Sequence, residues 1–311
     1  MPFFTVIIPL YNKEKYVENA LKSILNQTFS DFELIIVNDC STDESVSKVE
    51  FYLSEKVRLI HHEKNKGLSA TRNTGIINAK AEYVTYLDAD DVWKPTFLET
   101  LHRLTSNFQE ASIFATNYEE IYGKKVLKPI NGSENLTQNF EGLVDFFKIN
   151  LKQGIYNHGS VCFHKSVFEK VGGYNESISF SEDLDFNIRA NYHFKLAYSN
   201  SVGMQYVMQS ENQITRSKIS DKILPDYNTY NILASTNPTL KKYLDFERFV
   251  LSKHLKMEGS IKKSNEINKQ IDFKNLNKKQ QLLLRLPHSF VKQISVVKKI
   301  LITIGFKINS Y

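Results

Sequence analysis

The chain has 311 residues, of which 41% are hydrophobic and 24% charged, enough apolar content for a globular core and enough length for one large domain with an appendage. Two cysteines, Cys40 and Cys162, are too few for a disulfide framework and fit a reducing compartment. The net charge of +6 is uneven: residues 253–311 carry 13 Lys+Arg against 3 Asp+Glu, a local +10, leaving −4 on the rest. A neutral-to-acidic body with a basic tail argues against nucleic acid as substrate and for an electrostatic anchor at the end of the chain.

In chain order, residues 4–10 form a short Val/Ile-rich run that reads as a buried strand. Asn12 is expected to cap a helix carrying Val17, Ala20, Leu21, Ile24 and Leu25 at helical spacing. Residues 32–38 and 57–61 read as further strands, 69–79 as a helix, and 82–87 as a strand ending in acidic residues. Strands alternating with helices imply βαβ units and a mostly parallel sheet, with ligands beyond the carboxyl ends of the strands. Helices are expected near residues 95–107 and 182–193, strands near 112–117 and 159–164, and only helical patterns beyond about 220. The opening stretch has neither a basic n-region nor a small-residue cleavage site, and no apolar run nears the ~18–20 residues of a membrane span. The expected location is therefore cytoplasmic.

Four segments carry chemistry. In Tyr86-Leu87-Asp88-Ala89-Asp90-Asp91-Val92-Trp93, three carboxylates in four residues repel one another unless a cation sits among them. Hard oxygens of this kind suit Mg²⁺ or Mn²⁺ held with substrate phosphates; the alternative is a solvated acidic turn. In Val37-Asn38-Asp39-Cys40-Ser41-Thr42-Asp43, Asp39 is placed to accept from a pyrimidine ring N–H, or else caps a helix as Asp43 does. In Asn65-Lys66-Gly67-Leu68-Ser69-Ala70-Thr71-Arg72-Asn73, Gly67 lets backbone approach a ligand and Arg72 can grip phosphate, or is a surface arginine. Ser181-Glu182-Asp183 opens a helix, where the macrodipole alone favours acids. Neither a GxGxxG nor a GxxxxGK[ST] loop follows a strand, which leaves metal and arginine to bind phosphate. His158, His164 and His193 lack metal-ligand spacing.

In order along the chain, Val6-Ile7-Ile8-Pro9-Leu10-Tyr11-Asn12, Val37-Asn38-Asp39, Gly67 to Asn73, Leu87 to Asp91, and Val171-Gly172-Gly173-Tyr174-Asn175-Glu176 before Glu182-Asp183 resemble the family 2 glycosyltransferases. The resemblance covers about residues 3–220. It implies a GT-A (nucleotide-diphospho-sugar transferase) fold: a mostly parallel central sheet flanked by helices, residues 1–220, divided into a nucleotide-sugar-binding half (1–95) and an acceptor half (96–220). A helical extension with a basic amphipathic tail would follow at 221–311.

The resemblance further implies a metal-dependent, inverting transfer of a sugar from a nucleoside-diphosphate sugar, UDP-sugar above all, to a glycan or lipid-linked acceptor hydroxyl in cell-surface polysaccharide synthesis. Pro9, Tyr11 and Glu14 would line the nucleoside pocket with Asp39, Gly67 and Arg72. Asp88 would approach the ribose, Asp90 with Asp88 would hold Mn²⁺ or Mg²⁺ in a DXD motif, and Asp183 beside Glu182 would be the general base. The chain departs from many relatives in having Cys40 for glycine and no basic cluster near Tyr206-Val207-Met208-Gln209. A sugar nucleotidyltransferase and a non-catalytic nucleotide-sugar-binding scaffold are the alternative readings.

The tail adds one expectation of its own. After Pro287, the residues Phe290, Ile294, Val297, Leu301 and Ile304 fall on one helical face and Lys292, Ser295, Lys299 and Thr303 on another. Such a helix reads as peripheral on the anionic inner face of the cell membrane over residues 280–307, or as a helix packed on the catalytic domain.

Overall fold

The continuous apolar runs of the first half become the centre of one sheet. In the computed structural model, which describes residues 1–211, 213 and 217–303, β1 (Phe4–Leu10) and β2 (Phe32–Asn38) are buried at every position. Strands covered on both faces have no use for polar alternation, which is why these sequences read as unbroken hydrophobic runs. Between them α1 (Val17–Leu25) buries Val17, Ala20, Leu21 and Ile24 on one face. After β2 come α2 (Ser45–Glu50), β3 (Val57–His61), α3 (Leu68–Ile77) and β4 (Tyr83–Tyr86). β3, β2, β1 and β4 lie side by side and all pair in parallel.

The second half enters the same sheet with mixed polarity. β5 (Val92–Trp93), α4 (Phe97–Asn107), β6 (Ala111–Tyr122), β7 (Lys125–Leu127), β8 (Glu141–Val144), α5 (Phe146–Ile149), β9 (Val161–His164), α6 (Lys165–Val171), α7 (Glu182–His193) and β10 (Lys195–Val207) follow in chain order. The strand order is β3-β2-β1-β4-β9-β6-β10-β5, with β7 on β6 and β8 on β10. β9 runs antiparallel to both β4 and β6, whereas β10 is parallel to β6. The parallel character expected of the sheet thus holds for β1 to β4 and gives way to a mixed sheet beyond β4.

β10 is absent from the sequence reading, and its composition explains why. Its centre is Ser199-Asn200-Ser201, and its pairing with β6 shifts register between Ser199 and Val202 and again before Met204. A bulged strand with a polar middle breaks the period of two on which strand recognition depends. The helix start expected at Asn12 is also corrected. α1 begins after Tyr16 with no side-chain cap, while Asn12, at φ 50°, accepts from the Thr42 backbone N–H at 2.8 Å. Asn12 therefore ties two loops together at the carboxyl ends of β1 and β2.

Beyond β10 the chain is helical: α8 (Asn231–Ser235), α9 (Pro238–Met257), α10 (Ile261–Asn268), α11 (Lys278–Arg285) and α12 (His288–Thr303). Tyr227, Tyr230, Leu240, Tyr243 and Leu244 share one buried cluster with Phe163, Tyr174 and Phe186, so the extension grows out of the core of the sheet. α12 packs through Val291, which is 2% exposed, while Phe290, Ile294 and Val297 are 56%, 43% and 55% exposed. Three members of the apolar stripe read from the sequence thus face solvent, and Leu301 is half-buried. Its last member, Ile304, and the rest of 304–307 lie outside the described residues. None of the described helices is long and apolar enough to cross a membrane.

Candidate active site

The carboxyl ends of β1, β2 and β4 bring together loops that are distant in sequence. Asp39, just past β2, is 3% exposed. One of its carboxylate oxygens accepts from His62 Nδ1 at 2.7 Å and the Lys66 N–H at 2.8 Å, and the other from the Gly67 N–H at 2.8 Å. Asp39 thereby shapes the turn that enters α3. Gly67 sits at φ 86°, a conformation that a side chain resists, and it opens the helix that presents Arg72. Of the other expected nucleoside-pocket residues, Pro9 is buried and Tyr11 is 45% exposed at the rim. The carboxylate of Glu14 accepts from the Glu44 N–H at 2.9 Å, and the Glu14 N–H donates to Asp43 at 3.1 Å. Glu14 and Asp43 thus clamp the β1 and β2 loops to each other.

Arg72 is the hub. It is 2% exposed and donates to Glu182 Oε1 at 2.8 Å and to Asp88 Oδ1 at 3.2 Å, with its guanidinium 5.4 Å from the Tyr174 ring centre. It is therefore no surface arginine. Burial opposes its charge, but Asp88 and then Glu182 raise its pKa above the ordinary value. One buried cation, 16 residues from Asp88 and 110 from Glu182 in the chain, thus links the acidic turn after β4 with the acidic start of α7. The loop before α7 is held to α3 by Asn73, which accepts from the Tyr174 N–H at 2.8 Å and donates to the Tyr174 carbonyl at 2.9 Å. Gly173 is required there: a Cβ would lie 2.4 Å from the Asn73 side-chain oxygen. Ser181, at φ 62°, turns the chain sharply into α7.

At the α7 start, burial raises the pKa of both Glu182 and Asp183, and Arg72 pulls each back down. Glu182 is buried and Asp183 partly exposed, with one Asp183 carboxylate oxygen accepting from the Leu184 N–H at 2.9 Å. The sequence reading missed a third acid near them. Glu247 on α9 is pushed up to about 8 by burial, with its hydrogen bond to Tyr243 working against the shift and the charge of Asp183 adding to it. Only its place as a polar residue on an amphipathic helix was visible in the sequence.

The acidic turn solves its repulsion without an added ion. Asp88 pairs with Arg72, and Asp90 Oδ2 accepts from Lys13 Nζ at 2.7 Å and from the Ser210 hydroxyl. Asp91 is 1% exposed and accepts from the Val207 N–H at 2.9 Å. Burial, then Asp90 and Asp88, hold its pKa well above the carboxylate range. The cations that such a carboxylate run calls for are here the Lys13 ammonium and the Arg72 guanidinium. Among the described residues no group of three or more His, Cys, Asp or Glu side chains is arranged to hold a metal. What does fit is an ion held by one or two carboxylates together with diphosphate oxygens, with Asp90 and the 32%-exposed Asp88 as the protein's share.

Residues 5–172, more than half of the chain, match the family described as glycosyl transferase family 2. The chain belongs to glycosyl transferase family 2. Its similarity to the uncharacterized glycosyltransferase EpsJ of Bacillus subtilis is 27% identity over 218 residues, 69% of this chain and 63% of that protein. Chondroitin synthase of Escherichia coli is 27% identical over 215 residues, 68% of this chain and 30% of that protein. The chain thus spans just under two thirds of one family 2 relative and less than a third of the other.

Among solved structures, S. aureus TarS 1–349 in complex with UDP-GlcNAc shares the fold at a TM-score of 0.63 and 19% identity, over 78% of this chain and 70% of that one. The fold expected from the sequence, a GT-A sheet flanked by helices with a helical C-terminal extension, is the fold observed. The family 2 match ends ten residues before Glu182, so the roles of Glu182 and Asp183 rest on geometry.

Proposed function

We propose that the chain is an inverting glycosyltransferase that takes a sugar from a nucleoside-diphosphate donor, UDP-linked by analogy with the TarS complexes, and passes it to a glycan or lipid-linked acceptor. The observation that carries this reading is the Arg72 bridge, which ties Asp88 of the acidic turn to Glu182, next to Asp183, a partly exposed carboxylate of raised pKa. Pro9, Tyr11 and the Asp39-ordered Gly67 turn form the nucleoside end, and Asp88 reaches toward the ribose. Asp90 would hold a Mn²⁺ or Mg²⁺, which would supply neutralisation of the charge on the departing diphosphate. Asp183 takes the proton from the acceptor hydroxyl, and the new bond forms on the face opposite the leaving group. A raised pKa suits a general base at neutral pH, because proton affinity grows while the group still ionises. Glu182, locked to Arg72, orients the base cluster.

Support for a surface-glycan acceptor is the relatives' vocabulary: chondroitin synthase and a putative teichuronic acid glycosyltransferase of Bacillus subtilis. The test of the core reading is a screen of nucleotide sugars for slow release of free diphosphate in Mn²⁺. One or a few donors are expected to turn over; none doing so would leave only a scaffold.

The exposed Phe290, Ile294 and Val297 of α12, within a segment of local charge +10, support docking on an anionic membrane face, where each lysine contributes about 1 kcal/mol. Liposomes rich in anionic lipid are expected to float the full chain, and Ile294→Asp with Val297→Asp is expected to abolish flotation. Equal flotation of both would remove the anchor.

A further inference from the structure

Lys13 follows the β1 strand by three positions, yet its ammonium reaches the acidic turn after β4. Nζ is 2.7 Å from Asp90 Oδ2 and 2.7 Å from the Glu211 carbonyl, with the Lys13 and Asp90 side chains only 12% and 9% exposed. Two further contacts pin the same segment beyond β10: Lys15 pairs with the Glu211 carboxylate at 2.8 Å, and the Glu211 N–H donates to the Tyr16 hydroxyl at 3.2 Å. The Ser210 hydroxyl also donates to Asp90. Asp90 Oδ2 is thus already satisfied by one full positive charge and one hydroxyl. An ammonium and a hard divalent cation cannot both occupy that oxygen, because each would bring its positive charge within hydrogen-bond distance of the other.

We propose that Lys13 is the resident counter-ion of Asp90 and sets the metal requirement of the donor site by competing with the divalent ion for this carboxylate. The inference rests on the donor-site reading above and adds to it the residue that tunes cation affinity. Asp88 cannot take this part, since its cation is Arg72, buried and shared with Glu182. Lys13 differs in kind: it sits on a loop, its partner beyond β10 is a backbone carbonyl, and its long stem lets it swing away without breaking the core.

The test measures free Mn²⁺ by electron paramagnetic resonance during titration of the full chain, with and without UDP, in native protein, Lys13→Met and Lys13→Arg. Removing a charge-assisted hydrogen bond that metal must displace is expected to tighten Mn²⁺ binding in Lys13→Met by about tenfold. Lys13→Arg, which keeps the charge, is expected to bind Mn²⁺ as the native chain does. Lys13→Gln gives the same reading should the methionine variant fail to fold. Unchanged or weaker Mn²⁺ binding in the neutral variants would overturn the proposal while UDP binding persists. A chain that binds no UDP in any variant would instead remove the donor-site reading, and the role of Lys13 with it.

Discussion

The two acidic clusters that meet at Arg72 are balanced by different means. At the α7 start, Glu182 is buried and locked to Arg72, while at Asp183 burial disfavours the charge and the nearby Arg72 partly restores it. At the turn after β4 the charges are dealt with one at a time: Asp88 by Arg72, Asp90 by Lys13, and Asp91 by burial that favours its neutral form. The first cluster sets the proposed base beside a buried ion pair. The second pairs Asp90 with a lysine on a loop, the cation proposed above to exchange. A carboxylate cluster therefore says little by its composition alone; its role follows from whether its counter-charge is buried or mobile.

The sharpest way to break the comparison is to remove the charge both clusters share. Arg72→Met leaves Glu182 buried without its ion pair, and such a loss costs about 3–5 kcal/mol of stability. Chemical denaturation of native and variant chains measures it. A cost below about 1 kcal/mol, the range of exposed pairs, would mean that Arg72 does not bridge the clusters.

A smaller effect is expected at Glu247. Its carboxyl is pushed up to about 8 from an ordinary value of 4.5, so the fold favours its protonated form. That contribution is complete below about pH 4.5 and is lost as pH rises through about 8. Glu247→Gln stays neutral throughout, so its melting temperature is expected to gain on the native chain between pH 5 and pH 9. Parallel melting curves across that range would show Glu247 charged and solvated, and the base cluster would lose its neutral neighbour.

How much of this was legible in the sequence varies with distance along the chain. β1 and β2 match the expected spans because strands covered on both faces are continuous apolar runs; β3, the half-buried edge strand, matches on its short pattern of Val57, Leu59 and Ile60. β10 was not legible, since a bulge and a polar centre erase its period. Motif order brought Asp88, Asp90, Arg72, Glu182 and Asp183 into one reading, and the structure brings the same residues together. The partners that decide their charge were hidden: Lys13 lies 77 residues from Asp90, and Glu247 belongs to a helix whose pattern shows only which face is apolar. Asp39 and Glu14 illustrate the converse. Their motif is plain, but each spends carboxylate oxygens on backbone N–H groups of neighbouring loops, a demand that only the packed turn reveals.

The division of labour between the two clusters is tested most directly by one paired titration. Calorimetry of UDP binding in Mn²⁺ and the rate of sugar transfer are measured side by side for Asp90→Asn and Asp183→Asn. Asp90→Asn is expected to lose metal-dependent UDP affinity and transfer together. Asp183→Asn is expected to keep UDP affinity while transfer falls by ~10²–10⁴, the range for loss of a general base. UDP affinity that falls in step with rate in Asp183→Asn, or persists in Asp90→Asn, would contradict the assignment.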